Sequence, residues 1–316
     1  MGVLAAIQAA PIYGDAMATA RRAAERIAEA AQKGAWLAVF PESYLPGYPD
    51  WIWRVPARAS SPSAEPFFSF QRRFFEQAIT IPGPEVDLLA EACREHRMTV
   101  AIGVTERPAY SGTLYNTLLY LGSDGSLLGR HRKLVPTFAE RMIWGSGDGS
   151  TLRTLQTEQG IIGGLLCWEN YMPLARMALY AQGEQIHLAP TQDDGERWLA
   201  SMRHIATEGR MWVVSVGTFL RESDLPRDLA ALGVYNPGEL IHPGDSVIVN
   251  PLGTIVAGPA HGEECILLAD ASPAEALLAR RGFDVVGHYG RTDILGFMVR
   301  GKVLPLANED AFFWPE

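Results

Sequence analysis

Three segments of the chain place a reactive side chain just where a strand ends. In Phe40-Pro41-Glu42-Ser43-Tyr44, Glu42 follows the apolar stretch Trp36 to Phe40 and is surrounded by aromatic and proline residues. Such neighbours strip water from a carboxylate, raise its pKa and make it usable as a general base. In His131-Arg132-Lys133, Lys133 again stands at a strand end, where a fixed ammonium stabilises negative charge that develops during a reaction. Glu140, seven residues on, is placed to tune or position it. In Ile161-Ile162-Gly163-Gly164-Leu165-Leu166-Cys167, an apolar run leads straight to a cysteine, and polarity begins at Trp168-Glu169-Asn170. A cysteine at a strand-to-helix junction feels the helix N-terminus, which lowers the thiol pKa and favours the nucleophilic thiolate. Each residue alone has a plainer reading: a solvated glutamate, a surface lysine, a small buried hydrophobe. Cys93, inside a helical stretch, and Cys265, opening a strand, fit that plainer reading.

The elements that must carry these residues follow from periodicity. Apolar runs at Val3–Ala9, Trp36–Phe40, Met98–Thr105, Gln185–Ala189 and Met211–Gly217 suit buried strands. Asp15 to Lys33 sets Ala16, Ala20, Ala23, Ile27 and Ala31 at helical spacing and closes at Gly34. Glu85–His96, Tyr171–Gln182 and Arg197–Glu208 read as further helices. Asp124-Gly125 marks a hairpin between Asn116–Leu121 and Leu127–His131. Leu152–Thr157 pairs with Ile161–Leu166, and Val247–Asn250, Thr254–Ala257 and Cys265–Ala269 complete the strands. The aromatic, proline-rich stretch Ser43 to Pro66 has no period and reads as a long functional loop. Interleaved helices and strands with hairpins mixed in predict one α/β unit with mixed sheets over residues 1–316, ending in a short tail from about 296.

Composition narrows the function. The 316 residues are 47% hydrophobic and 20% charged, which excludes general disorder. The net charge of −9 argues against nucleic-acid binding. Three well-separated cysteines rule out a disulfide framework and a cysteine-rich zinc site, and favour a reducing compartment, the cytoplasm. The N-terminus lacks the basic stretch of a signal peptide, and no apolar run is long enough to span a membrane. There is no HExxH and no GxSxG. Gly296–Lys302 has the spacing of a phosphate loop, but Val303 stands where Ser or Thr must hold magnesium. Gly145-Ser146-Gly147-Asp148-Gly149 reads as a tight loop.

Taken together, the three sites resemble the carbon–nitrogen hydrolase superfamily, whose signature is a Glu–Lys–Cys triad in that order. Arg132 to Ser150, Cys167-Trp168-Glu169, Gln185-Ile186-His187 and Asp284 to Arg291 are similar to its nitrilase branch. The resemblance runs from the first strand to about Leu295. It implies a four-layer α-β-β-α sandwich, with Glu42 as general base, Lys133 as charge stabiliser, Cys167 as nucleophile and Glu140 as a second active-site glutamate. The Trp168 backbone N–H would join Lys133 in holding the tetrahedral intermediate, with no metal and no cofactor. It also implies a small-molecule nitrile as substrate, and self-association into dimers or spirals. Tyr48 and Trp144, together with Tyr44, Trp51 and Trp53, favour an organic nitrile with an apolar group. Pro190 and Thr191 belong to a segment that lines the pocket in relatives. There the sequence departs from the family: Leu188-Ala189-Pro190-Thr191-Gln192-Asp193-Asp194 replaces the frequent Trp-Pro or Phe-Pro, and Arg291-Thr292-Asp293 replaces Arg-Pro-Asp. Rival readings are an amidase or carbamoylase with the same triad, a cyanide-degrading enzyme, and a non-catalytic scaffold.

Overall fold

The computed structural model describes residues 2–57 and 64–299, and the backbone of 302–303. Parts of the expected 43–66 loop and most of the expected tail from about 296 lie outside the described residues.

Strand β1 (Gly2–Gln8) shows how alternation builds the layers. Leu4 and Ala6 face one core, Ala5 and Ile7 another. Helix α1 (Ala16–Gln32) starts where the Asp15 carboxylate accepts the Ala18 N–H at 2.8 Å, and it buries Ala20, Ala23, Ile27 and Ala30. It leads to β2 (Ala35–Val39). Helices α2 (Glu65–Gln77) and α3 (Pro84–His96) precede β3 (Thr99–Glu106), β4 (Tyr115–Leu121) and β5 (Leu127–Arg132). The second half runs β6 (Leu155–Gln156), β7 (Ile161–Gly164), α4 (Pro173–Tyr180), β8 (Ile186–Thr191), α5 (Gly195–Gly209), β9 (Trp212–Gly217) and β10 (Phe219–Arg221). Then come α6 (Arg227–Ala230), β11 (Leu240–Val249), β12 (Ile255–His261), β13 (Cys265–Ala271), α7 (Pro273–Arg280) and the small pair β14 (Met298–Val299) and β15 (Lys302–Val303).

The first sheet has the order β13-β1-β2-β3-β4-β5 and the second β10-β11-β9-β8-β7-β6, with β12 on β11. Both are mixed: β1-β2-β3 and β7-β8-β9 are parallel, their neighbours antiparallel. The sheets meet face to face through Leu4, Leu37 and Leu118 on one side and Ile162, Leu188 and Val214 on the other. Helices α1 and α3 cover the outer face of the first sheet, and α5 that of the second. The architecture is the four-layer α-β-β-α sandwich with two mixed sheets.

The departures from the sequence reading are local. The segment after Glu42 is more ordered than a loop: Asp50–Trp53 forms a 3-10 helix, and Tyr48, Trp51, Phe67, Phe70 and Phe74 share a buried aromatic cluster. That packing, not a periodic stripe, organises it. Periodicity also left α2, α6, α7 and β10 unread, because short or aromatic-rich elements carry little repeat. β11 begins well before Val247, since its first residues are only half-buried and do not alternate in type.

Among the described residues, no helix is long and apolar enough to cross a membrane.

Candidate active site

Topology explains why Glu42 and Lys133 meet. β2 and β3 are parallel, and β4 turns back between β3 and β5, so β2 and β5 end at the same edge. Glu42 and Lys133 follow those two ends. Their approach depends on Gly103 in β3, where a Cβ would fall 2.7 Å from the Glu42 Cα and collide with the Pro41 carbonyl. Gly147, in the glycine-rich loop, donates its N–H to the Lys133 carbonyl at 2.8 Å, and a Cβ there would strike the Arg132 carbonyl. Cys167 follows β7 in the facing sheet and opens the 3-10 helix Cys167–Tyr171.

These residues form one buried cluster. Lys133 Nζ donates to Glu42 Oε1 at 2.7 Å and to Glu140 Oε2 at 2.8 Å, with all three side chains sealed from solvent. Glu42 Oε1 also accepts from Asn116 Nδ2 at 2.8 Å, whereas its Oε2 has no hydrogen-bond partner. Glu140 accepts further from the Tyr48 hydroxyl (2.8 Å) and the Thr137 N–H (2.7 Å). Burial, with Glu140 nearby, raises the Glu42 carboxyl to about 7 against the pull of Lys133. Burial alone would depress Lys133, but Glu42 and Glu140 more than offset it and hold the ammonium above its ordinary range.

The expectation that a helix N-terminus lowers the Cys167 thiol is corrected. Burial dominates and pushes the thiol up, Glu42 and Glu140 add to it, and Lys133 opposes. A five-residue 3-10 helix has too small an aligned dipole to reverse that. The Cys167 thiol is therefore held well above its ordinary range.

The cysteine is held in an unusual backbone conformation, φ +48°, which costs a non-glycine residue on the order of 1–2 kcal/mol. Asn170 restrains it: Nδ2 donates to the Cys167 and Leu165 carbonyls, each at 2.9 Å. Its Oδ1 accepts from His187 Nε2 at 2.7 Å, and His187 Nδ1 lies 2.9 Å from Glu184. Glu169 ties the two halves of the site together. It accepts the N–H of Leu134, next to Lys133, at 2.7 Å and the N–H of Leu166, next to Cys167, at 2.8 Å. His131 lies 3.1 Å from both of its oxygens. Interaction with His131 and these donors overcomes burial and keeps the Glu169 carboxyl below its usual range.

A cavity of about 290 Å³ opens onto Cys167 and Glu140, walled by Tyr48, Trp53, Phe138 and Trp168, with Gln192, Asp193 and His242 adding polar edges. The Trp168 indole donates to Asp193 at 2.8 Å. Of the residues expected to line the pocket, Tyr48 does so. Thr191 reaches the Cys167 sulfur itself, at 3.3 Å. Trp144 does not line the cavity; it stands behind Tyr48, ring centroids 5.8 Å apart, and packs on Phe74. Pro190 is buried within β8 opposite Val216 and does not line it either. Sequence reasoning gave no role to Asn116, Asn170, Gln192 or His242. Asn116 had a signal, as the polar break in Tyr115–Leu121. His242 had none, because only the sheet order brings β11 to this cavity.

Comparison with known proteins identifies the family. The carbon–nitrogen hydrolase family profile matches residues 3–281. The chain belongs to the carbon–nitrogen hydrolase family. Among relatives of this hydrolase, an aliphatic nitrilase of Sinorhizobium fredii is 45% identical over 296 residues, spanning 93% of this chain and 94% of that one. A bifunctional nitrilase/nitrile hydratase of Lupinus angustifolius is 42% identical over 93% of this chain and 84% of its own. In fold, the hydrolase is similar to a carbon–nitrogen hydrolase of Helicobacter pylori, with a TM-score of 0.71 at 19% identity, covering 92% of this chain and 96% of that one.

Proposed function

We propose that this carbon–nitrogen hydrolase is a nitrilase that works through a covalent cysteine intermediate: R–C≡N + 2 H₂O → R–COOH + NH₃. The reading is carried by one observation, a buried Cys167 beside a carboxylate whose Oε2 is unpaired and whose pKa sits near 7, next to an ammonium fixed by two glutamates. The high identity to nitrilases supports a nitrile rather than another carbon–nitrogen substrate.

In this mechanism Glu42 takes the Cys167 proton as sulfur attacks the nitrile carbon and passes it to the former nitrile nitrogen, giving a neutral thioimidate and a carboxylate free to act again. Proton loss and attack are coupled, because a free thiolate is disfavoured at so buried a site. Lys133 and the Trp168 backbone N–H stabilise the charge that develops opposite the sulfur. Glu140 fixes Lys133 from the far side and is itself anchored by Tyr48 and Thr137. Water activated by Glu42 adds to the thioimidate carbon, ammonia leaves, and a second water cleaves the thioester. The aromatic walls favour an organic nitrile with an apolar group. The Lupinus relative is described as a nitrilase/nitrile hydratase, which supports release of some amide beside the acid.

The chain acts as one catalytic domain followed by a tail from about 296. It self-associates, a reading supported by exposed Leu174, Leu277, Leu278, Ile294 and Leu295. Its free cysteines suit the cytoplasm. Light scattering tests the association.

Ammonia release from aliphatic, aromatic and arylaceto-nitriles, dinitriles, cyanide and the matching amides tests the activity. Nitriles are expected to dominate. Turnover of amides alone would establish the amidase reading, and full nitrile hydrolysis by Cys167→Ala would overturn the mechanism.

A further inference from the structure

Thr191 is the last residue of β8, fully buried and outside the Glu42–Lys133–Glu140 cluster. Its position is set by register. β7 and β8 are parallel with Gly164 opposite Leu188, so three residues further, past the end of β7 and at the end of β8, Cys167 and Thr191 come together. The Thr191 Oγ1 accepts the Asp193 N–H at 2.7 Å and lies 3.3 Å from the Cys167 sulfur. A hydroxyl has one proton. With the oxygen already accepting from the backbone, that proton is directed to the sulfur.

The consequence lies in the tetrahedral intermediate, whose carbon bears OH, a nitrogen and the cysteine sulfur. If the C–N bond breaks, its electron pair leaves with a protonated nitrogen as ammonia, and the thioester remains, bound for the acid. If the C–S bond breaks, the electron pair goes to sulfur, a thiolate departs, the hydroxyl proton passes to a base and the amide is released. Lys133 and Glu42 act at the nitrogen and oxygen substituents. Thr191 touches the sulfur, and a hydrogen bond to a developing thiolate is charge-assisted and stronger than one to a thioether.

We propose that the Thr191 hydroxyl acts on the nucleophile sulfur and sets how the intermediate divides between acid and amide, favouring C–S cleavage. The same bond assists thiolate formation during attack. This inference rests on the nitrilase reading, and the measurement separates the two.

An aliphatic mononitrile is given to the wild type, Thr191→Val, Thr191→Ala and Thr191→Ser, and nitrile consumed, acid and amide are quantified by mass spectrometry. The rate of Cys167 alkylation by iodoacetamide is followed against pH in the same proteins. The expected result is a minor amide product from the wild type. Its ratio to acid falls roughly tenfold in Thr191→Val and Thr191→Ala, as loss of one charge-assisted hydrogen bond predicts. The alkylation profile moves to higher pH in both, and Thr191→Ser restores both properties. Nitrile consumption with no wild-type amide overturns the proposal, and so does an amide ratio unchanged without the hydroxyl. A loss as large in Thr191→Ser as in Thr191→Val assigns the effect to packing and overturns it too. If the wild type consumes no nitrile, the nitrilase reading itself fails.

Discussion

Cys93 and Cys167 are both buried thiols, and burial pushes both upward, Cys93 to about 12. Their surroundings differ in kind. Cys93 sits on α3 among Ile27, Leu89 and Val100, in the core between helices and sheet. Cys167 sits at a strand end in a left-handed backbone conformation, at the base of a cavity, with Thr191 on its sulfur and three ionisable side chains acting on it. The comparison shows that a lowered thiol pKa is not what distinguishes the proposed nucleophile, since burial raises both. What distinguishes it is a neighbouring carboxyl raised to about 7, an ammonium fixed by two glutamates, and a cavity that opens onto the sulfur.

The sharpest break of that contrast is substitution of each cysteine. Cys167→Ala is expected to lower nitrile turnover by at least about 10⁴-fold, as loss of a covalent nucleophile does. Cys93→Ala keeps kcat within about twofold, because a core packing residue touches no reacting atom. Ammonia release measures both, and comparable losses would erase the distinction.

Glu42→Gln comes next, with an expected loss of about 10²–10⁴ in kcat/KM, the usual worth of a positioned general base. The wild-type profile should fall as pH drops through about 7, since Glu42 works only when ionised and its carboxyl is raised to about 7. The limb belongs to the coupled cluster rather than to one side chain. An unchanged acid limb in the residual activity of Glu42→Gln would remove Glu42 from that role.

Gly103→Ala tests whether geometry matters as much as chemistry. Its Cβ would displace the Glu42 backbone, and a misplacement of about 1 Å costs roughly 100-fold. Circular dichroism would show whether the fold survives, and unchanged kinetics would show that the Gly103 contact does not set the position of Glu42. The smallest effect is on stability. Cys93→Ala should lower the unfolding free energy by about 1 kcal/mol, comparable to deleting one buried methyl group. Urea denaturation reads it, and a value near zero would mean the core closes over the gap.

The site was legible where chemistry and strand ends coincide. Glu42, Lys133 and Cys167 each follow the end of a strand, and that pattern is local. The helix-lowered thiol was misjudged, because burial of Cys167 depends on Tyr48, Thr191 and the facing sheet, none of which is near it in sequence. Trp144 looked like a pocket residue from composition, yet an aromatic ring lines a cavity or backs it according to what packs in front, and Tyr48 stands there. Asn170 and Glu169 were visible as letters beside Cys167. Asn170 holds the Cys167 and Leu165 carbonyls from three and five residues away, but the Glu169 bridge from Leu134 to Leu166 exists only once the two sheets meet.

By itself the sequence determined the order of most strands and of the helices α1, α3, α4 and α5, and it singled out one cysteine of three. These follow from alternation, helical spacing and turn residues, which act over a few neighbours. Tertiary structure decided the protonation of the cluster, the cavity walls and the hydroxyl on the sulfur. Desolvation and Coulomb interaction depend on distance in space, and only the folding of one sheet onto the other sets those distances.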